Sequence, residues 1–421
     1  MSKCRVLLVI PAVALIGMII YSVWRSKHTE YTPLDPVTLF VATDLHYLSP
    51  ELTDHGAYFQ QVIRDGDGKA MEYCEELTDA FVEQVIAQRP DVLILSGDLT
   101  FNGARLSHTA LAKKLLMIKN EGIPVLVLPG NHDLENPMAA SFSGDGFTLV
   151  DSINSRQFEE IYLAFGLGDA IARDDASLSY IVELIPGLLV LMLDVNTVDS
   201  PGTLKDSTLQ WVERQLREAE RQGSRVMAVS HQNLLQHNSI FSYGFMMGNN
   251  NALLALYEKY NVICNLSGHM HIQHIMQSEN GLPEIASSSL IVSPNQYCVL
   301  TLDGTSASYN TAKVNVSLLT GNSSGSDNDL IEFPDYAHTS LWDTAYRQAE
   351  AELNDVPELE QMCAFFAEVN TAYVSGRMDT ISWNGVLYQM WDNQHTFMAA
   401  YLQSVFNGGF HNYPAHSFSF H

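Results

Sequence analysis

The chain is organised by short apolar runs of strand length that recur with helix-like segments between them. The runs occupy residues 37–43, 92–96, 125–129, 188–193, 226–230 and 262–267. Between them, residues 75–88, 107–120 and 208–221 space their apolar side chains near 3.6 positions, the period of a helix with one buried face. Strands alternating with helices imply an α/β core, and in such sheets functional groups gather beyond the carboxyl ends of the strands.

Those ends carry the polar residues. Run 37–43 leads into Asp44 and His46, and run 92–96 into Asp98. Run 125–129 is followed by Asn131, His132 and Asp133, run 226–230 by His231, and run 262–267 by His269 and His271. Each piece alone has an ordinary explanation. Gly-Asn and Gly-Asp are turn dipeptides, an Asp can cap a helix, and a single histidine is more often a bonded core residue than a ligand. The conjunction of five motifs at successive strand ends points instead to one shared site. Just beyond a strand, side chains two apart, such as Asp44/His46 and His269/His271, face the same side. A mixed imidazole and carboxylate set without thiolate suits Zn²⁺, Mn²⁺ or Fe²⁺. Asp98 is expected to bridge two such ions through its two oxygens, and a pair roughly 3.5–4 Å apart clamps a phosphoryl group for in-line attack.

Charge limits the partners. A formal net charge of -26 excludes general binding to nucleic-acid backbones, which needs a cationic surface. Phosphate chemistry would need local cations, and metal ions supply them. Five cysteines without a CxxC pair encode neither a thiolate zinc site nor a disulfide framework, although one bridge stays open.

The ends of the chain differ from its middle. Residues 6–24 form an uncharged, mostly apolar stretch flanked by Lys3 and Arg5 before it and Arg25 and Lys27 after it. As a helix it would span roughly 28 Å, close to a bilayer's hydrocarbon thickness. No A-x-A-like cleavage site follows, so residues 1–27 read as an uncleaved signal anchor with the remainder extracytoplasmic, or secreted if cleavage occurs. Residues 28–318 read as the catalytic domain, with further strands over 281–316 and a hairpin turn at Asp303-Gly304. The polar, Gly/Ser-rich segment 319–333 reads as a linker, and 334–421 as a helical C-terminal domain with helices over 341–353, 358–375 and 385–406.

The ordered set Asp44-Leu45-His46, Gly97-Asp98, Gly130-Asn131-His132-Asp133, His231 and Gly268-His269-Met270-His271 closely resembles the calcineurin-like metallophosphoesterase superfamily. The resemblance spans residues 38 to about 300 and implies a four-layer α-β-β-α sandwich with two divalent metal ions, manganese, iron or zinc. It implies Asp44, His46, Asp98 and His271 as ligands of one metal and Asp98, Asn131, His231 and His269 as ligands of the other. It also implies catalytic roles for His132, beside the phosphate, and for Asp133, as the group that orients His132. The arginine that protein phosphatases of this superfamily carry after Gly-Asp is missing from Gly97-Asp98-Leu99-Thr100-Phe101-Asn102-Gly103. This form resembles the bacterial branch that hydrolyses cyclic nucleotides and glycerophosphodiesters, with a helical C-terminal domain. A small phosphodiester such as a cyclic nucleotide is the implied substrate. A phosphomonoesterase of the same fold, or a metal-binding scaffold whose C-terminal domain holds a partner, is the alternative. Arg105 and His108 are expected to cap or cover the following helix, with an approach to the substrate as the alternative, and Tyr388 or Trp391 either to stack a base or to form the helical domain's own core.

Overall fold

The computed structural model describes residues 34–317, 328–353 and 356–420. The expected anchor lies outside them, and among the described residues no helix is long and apolar enough to cross a membrane. The strands are β1 (Leu34–Ala42), β2 (Val92–Leu95), β3 (Val125–Val127), β4 (Ala172–Arg173), β5 (Tyr180–Ile185), β6 (Leu188–Leu193) and β7 (Arg225–Ser230). They continue with β8 (Asn265–Ser267), β9 (His274–Gln277), β10 (Pro283–Ala286), β11 (Gln296–Gly304), β12 (Ser306–Lys313) and β13 (Ala415–Ser419).

Two sheets result. The six-stranded sheet runs β13-β12-β11-β1-β2-β3 and the seven-stranded sheet β9-β10-β8-β7-β6-β5-β4. Within them β1, β2 and β3 pair in parallel, as do β6, β7, β8 and β10. The all-apolar run of β6 shows why both faces are covered. Leu188, Val190 and Met192 enter the core shared with the six-stranded sheet. Leu189, Leu191 and Leu193 face the opposite way, into a core closed by Trp211, Val212 and Leu216 of α3 (Asp206–Gln222) and Leu253 and Tyr257 of α4 (Asn250–Lys259). A period-two strand places neighbours on opposite faces, so only a fully apolar sequence suits a strand sandwiched on both. On the other side, α1 (Cys74–Gln88) and α2 (Arg105–Asn120) lay Leu77, Phe81, Val85, Leu111, Leu115 and Ile118 against the six-stranded sheet's core. The layers are those of a mixed α/β sandwich, as the motifs imply.

The C-terminal segment departs from expectation in three places. The expected linker ends early: residues 328–331 are helical, and Phe333, which opens α5 (Phe333–Glu352), is buried in the sandwich core. Residues 318–327 lie outside the description. After α6 (Leu359–Val374), the expected helix 385–406 is two helices, α7 (Gly385–Asp392) and α8 (Phe397–Asn407). Left-handed His395 (φ 54°) breaks the run, and the Thr396 side chain caps α8 by accepting the Ala399 N–H at 3.2 Å. Finally, the module is not wholly helical. Residues 415–419 return as β13 and pair antiparallel with β12, covering a strand edge that would otherwise be open. Likewise β1 begins at Leu34, three residues before the apolar run expected at 37–43. Cys74, Cys264, Cys298 and Cys363 are all free and buried.

Candidate metal centre

The carboxyl ends of β1, β2, β3, β7 and β8 converge, and the residues just beyond them form three interlocking groups. These are Asp44/His46/His271, Asp98/His231/His269 and His46/Asp98/His132, each with ligand atoms within 4.8 Å of one another. The backbone bends sharply to bring them together: Asp44, His46, Asp98, His269 and His271 all adopt left-handed φ, between 44° and 68°. Such conformations cost about 1–3 kcal/mol each and persist only where surrounding structure enforces them. Part of that enforcement is steric. A Cβ on Gly130 would lie 2.1 Å from Asp98 Oδ1, one on Gly268 would lie 2.0 Å from Thr43 Oγ1, and one on Gly97 would strike the His231 ring at 2.6 Å. The motif glycines are therefore contact points between loops.

Each carboxylate divides its two oxygens between anchoring and the site. Asp44 Oδ2 accepts from the Thr43 hydroxyl at 2.7 Å and the His269 N–H at 2.9 Å, while its buried Oδ1 has no hydrogen-bond partner. Asp98 Oδ1 accepts the His132 N–H at 2.9 Å. Its Oδ2 lies 3.3 Å from His231 Nε2, 3.9 Å from His46 Nε2 and 3.8 Å from His132 Nε2. Asp98 thus places Oδ2 at the junction of the groups while backbone anchors Oδ1.

The imidazoles are aimed by the same logic. His231 donates Nδ1–H to the Ser96 carbonyl at 3.0 Å, His269 donates Nε2–H to the Gly244 carbonyl at 2.9 Å, and His132 donates Nδ1–H to the Phe101 carbonyl at 2.9 Å. His271 sets Nδ1 3.2 Å from Asp67 Oδ2 and turns Nε2 to within 3.3 Å of Asp44 Oδ1. Fixing one ring nitrogen turns the other inward, the usual preparation of a metal-binding histidine. Asn131 Oδ1 is 3.2 Å from His231 Nε2 and joins the same side.

The electrostatics of the pocket ask for cations. Burial alone would raise the Asp44 carboxyl, yet His271 and His231 hold it well below the carboxylate range. Burial opposes charge on His231 and His271 too, but Asp98 and Asp44 beside the first, and Asp44 beside the second, lift each to about 9. Burial and neighbouring Lys69 push His46 well below its ordinary value, and burial with His231 takes His269 down to about 4. Both carboxylates thus draw positive charge to the pocket. His46 Nε2 and His271 Nε2 stand 3.1 Å apart, an arrangement that a shared ion also satisfies. The unpartnered Asp44 Oδ1 and this donor set fit metal ligation.

Asp133 departs from its expected place. It is fully buried, and its carboxylate accepts N–H bonds from Leu99, Thr100 and Gly130 and the Thr100 hydroxyl, at 2.8–3.0 Å. It staples the loop after β2 to the loop after β3, and the contact that orients the His132 ring comes from Phe101. Burial raises the Asp133 carboxyl to about 6, the Asp98 charge adding to it. His108 is buried behind this staple, its ring on Thr100, the Asp133 carbonyl and the Tyr162 hydroxyl, while Arg105 is exposed at the start of α2. Gln232 pairs with Asn196 through both amide atoms and is buried. Trp391 is buried with its indole N–H on the Met362 carbonyl, and Tyr388 packs on Trp383 and Phe406, so both belong to the helical module's own core.

Sequence reasoning missed Asp67, which lies within the stretch "RDGDGK" and has no motif to mark it. It also missed Glu284 of β10, fully buried, whose carboxylate accepts from the Leu234 and Leu235 N–H groups and the Asn265 amide and so fixes the loop after His231.

A family model described as C-terminal domain of cyclic nucleotide phosphodiesterase matches residues 315–409. A protein named probable cyclic nucleotide phosphodiesterase from Vesicomyosocius okutanii subsp. Calyptogena okutanii (strain HA) is 33% identical over 124 residues, 28% of this chain and 50% of that protein. One of the same name from Ruthia magnifica subsp. Calyptogena magnifica is 36% identical over 67 residues, 16% of this chain and 27% of that one. The chain thus spans half or less of the curated relatives it matches. Among solved structures, a dimetal phosphatase from Danio rerio is similar at 15% identity and a TM-score of 0.49, over 66% of this chain and 96% of that one. The family model for calcineurin-like phosphoesterase matches residues 37–273, more than half of the chain and every strand end that carries a candidate ligand, and the chain belongs to that family of metallophosphoesterases.

Proposed function

We propose that this protein is a dimetal-dependent phosphodiester hydrolase acting on small diesters, cyclic nucleotides among them. The observation that carries the reading is Asp98 Oδ2 at the meeting point of two ligand groups, with the partly exposed His132 presenting Nε2 3.8 Å away. Asp44, His46, Asp98 and His271 would hold one cation and Asp98, Asn131, His231 and His269 the other. When bound, such a pair supplies Lewis acidity toward phosphoryl oxygens and lowers the pKa of water.

The chain's own groups do the remainder. Asn131 contributes a neutral oxygen, which limits negative charge where an anion must enter. Because Phe101 fixes the Nδ1–H of His132, the proton it exchanges is the one at Nε2, and delivering it to the departing alkoxide oxygen is general-acid work. Asp133 acts at a distance by holding the two loops in register. Lys69, the lysine beside this cluster, is engaged by Asp67 at 2.7 Å, so its charge is shared. A phosphomonoester dianion usually recruits a dedicated guanidinium fork, whereas a diester carries one charge less. The names of the two relatives and of the C-terminal family support the diester reading. The apolar stretch 6–24 supports placing this activity on a membrane-anchored, extracytoplasmic domain, to be tested by fractionation and protease accessibility of intact cells.

The test of activity is a panel on protein loaded with Mn²⁺: bis(4-nitrophenyl) phosphate, 2′,3′- and 3′,5′-cyclic nucleotides, glycerophosphodiesters and monoesters. Diester turnover that is abolished by chelation is expected. Failure to cleave any diester, with two equivalents of metal bound, refutes the proposal, and a marked preference for monoesters moves it to the phosphomonoesterase alternative.

A further inference from the structure

Beside the metal centre lies a cavity of about 230 Å³ between the sandwich and the helical module. His271 and Asp67 line one end, so it is continuous with the ligand set. Its lining mixes aliphatic side chains such as Ile272, Val292 and Leu341 with a set of aromatic rings. On the sandwich side the 241–245 loop supplies Phe241 and Phe245, and on the helical side α6 and α8 supply Tyr373, Phe397 and Tyr401. Ring contacts run without a gap from metal ligand to module. His269 meets Phe245 at 5.5 Å, Phe245 meets Phe241 at 4.8 Å, and Phe241 meets Tyr401 at 6.1 Å and Phe397 at 6.4 Å. The same loop is tied to the site through the bond from His269 to the Gly244 carbonyl. Asn370 adds a polar group to the wall. Its Oδ1 accepts the Tyr401 hydroxyl at 2.7 Å, and its amide nitrogen has no protein partner among the described residues.

We infer that this cavity binds the organic group of the substrate diester and that it takes a nucleobase. This rests on the phosphodiesterase reading, since the cavity adjoins the same centre. Aromatic rings on two sides of the cavity stack a base in a sequence-tolerant way, and the Asn370 N–H groups meet a ring nitrogen or carbonyl. Phe397 is 55% exposed, a large apolar surface left open beside a catalytic cleft. A helical module that closes one wall of the pocket also gives the C-terminal segment a function: it makes the diesterase selective.

The experiment uses the full chain with Mn²⁺ and two readouts. Calorimetric binding compares adenosine 5′-monophosphate, ribose 5-phosphate and a monoacyl glycerophosphate. Hydrolysis compares kcat/KM for a cyclic nucleotide with that for glycerophosphoethanolamine, which has no ring to stack. The wild-type protein is expected to bind the nucleotide at least tenfold more tightly than ribose 5-phosphate, and Phe397→Ala and Phe241→Ala to reduce that preference by on the order of tenfold. The same variants should lower the ratio of the two kcat/KM values and act mainly through KM. Equal binding of nucleotide and sugar phosphate overturns the inference, as does an unchanged preference in both variants. Tighter binding of the acylated ligand overturns it in favour of a lipid pocket. A protein that cleaves no diester yet prefers the nucleotide would refute the proposed function and leave the pocket assignment standing.

Discussion

Replacing Gly130 by alanine tests whether the site depends on contact between the loops after β2 and β3. The residue is not in the left-handed region, so the change is steric and not a matter of backbone preference. The added Cβ would lie 2.2 Å from Asp98 N and 2.1 Å from Asp98 Oδ1, where ordinary contact begins near 3.4 Å. Either atom must retreat by about 1 Å. Asp98 Oδ1 holds the His132 N–H, so Asn131, His132 and Asp98 shift relative to one another while the sheets stay intact. A misplacement of about 1 Å at reacting groups costs on the order of a hundredfold in rate. We expect kcat/KM for bis(4-nitrophenyl) phosphate with Mn²⁺ to fall by about that factor and metal content to drop. Gly146→Ala, where nothing lies within 4 Å, should leave both unchanged. Circular dichroism of the two variants would show whether the fold is retained. Wild-type activity in Gly130→Ala would refute the reasoning, since it would mean that Asp98 and the Asn131–His132 turn need not touch.

Three further outcomes are expected. His132→Ala should keep its bound metal, measured by elemental analysis, and lose at least about two orders of magnitude in turnover, because a general acid contributes that much; loss of metal would show that His132 is a ligand. Asp67→Asn should weaken metal binding by about 10–100-fold in a chelator competition, since it removes the carboxylate that orients His271. Unchanged affinity would mean that the Asp44 side holds His271 unaided. His108, whose pKa burial lowers from 6.5 to about 3, stays neutral in the fold. The unfolded chain therefore binds the extra proton between those values, so this contribution is complete above pH 6.5 and is lost as pH falls toward 3, by about 2 kcal/mol at pH 5. Urea unfolding at pH 7 and pH 5 should show that difference in the wild type relative to His108→Gln; equal slopes would mean that His108 is charged in the native state.

The strand ends that carry the candidate ligands could be read from the sequence because both signals are local. An apolar run followed by Asp, His or Asn is written in adjacent letters, as in residues 92–98 and 125–133, and the structure gathers Asp44, His46, Asp98, Asn131, His231, His269 and His271 at one end of the sandwich. The helices of the C-terminal segment were legible for the same reason, although one left-handed residue, His395, was enough to divide the longest of them.

The sequence by itself therefore determined the α/β class, the family pattern and the residue types of the candidate metal site. Tertiary structure alone decided which atom of each does the work. Backbone carbonyls of Ser96, Phe101 and Gly244 choose the inward nitrogen of three histidines, and a carbonyl has no letter in the sequence. Asp67 reaches His271 from some two hundred residues away, β13 joins an edge strand across a hundred, and the cavity is assembled from a loop of the sandwich and two helices of the module. These depend on packing between distant segments, and periodicity reports only which face of an element is buried, not what it is buried against.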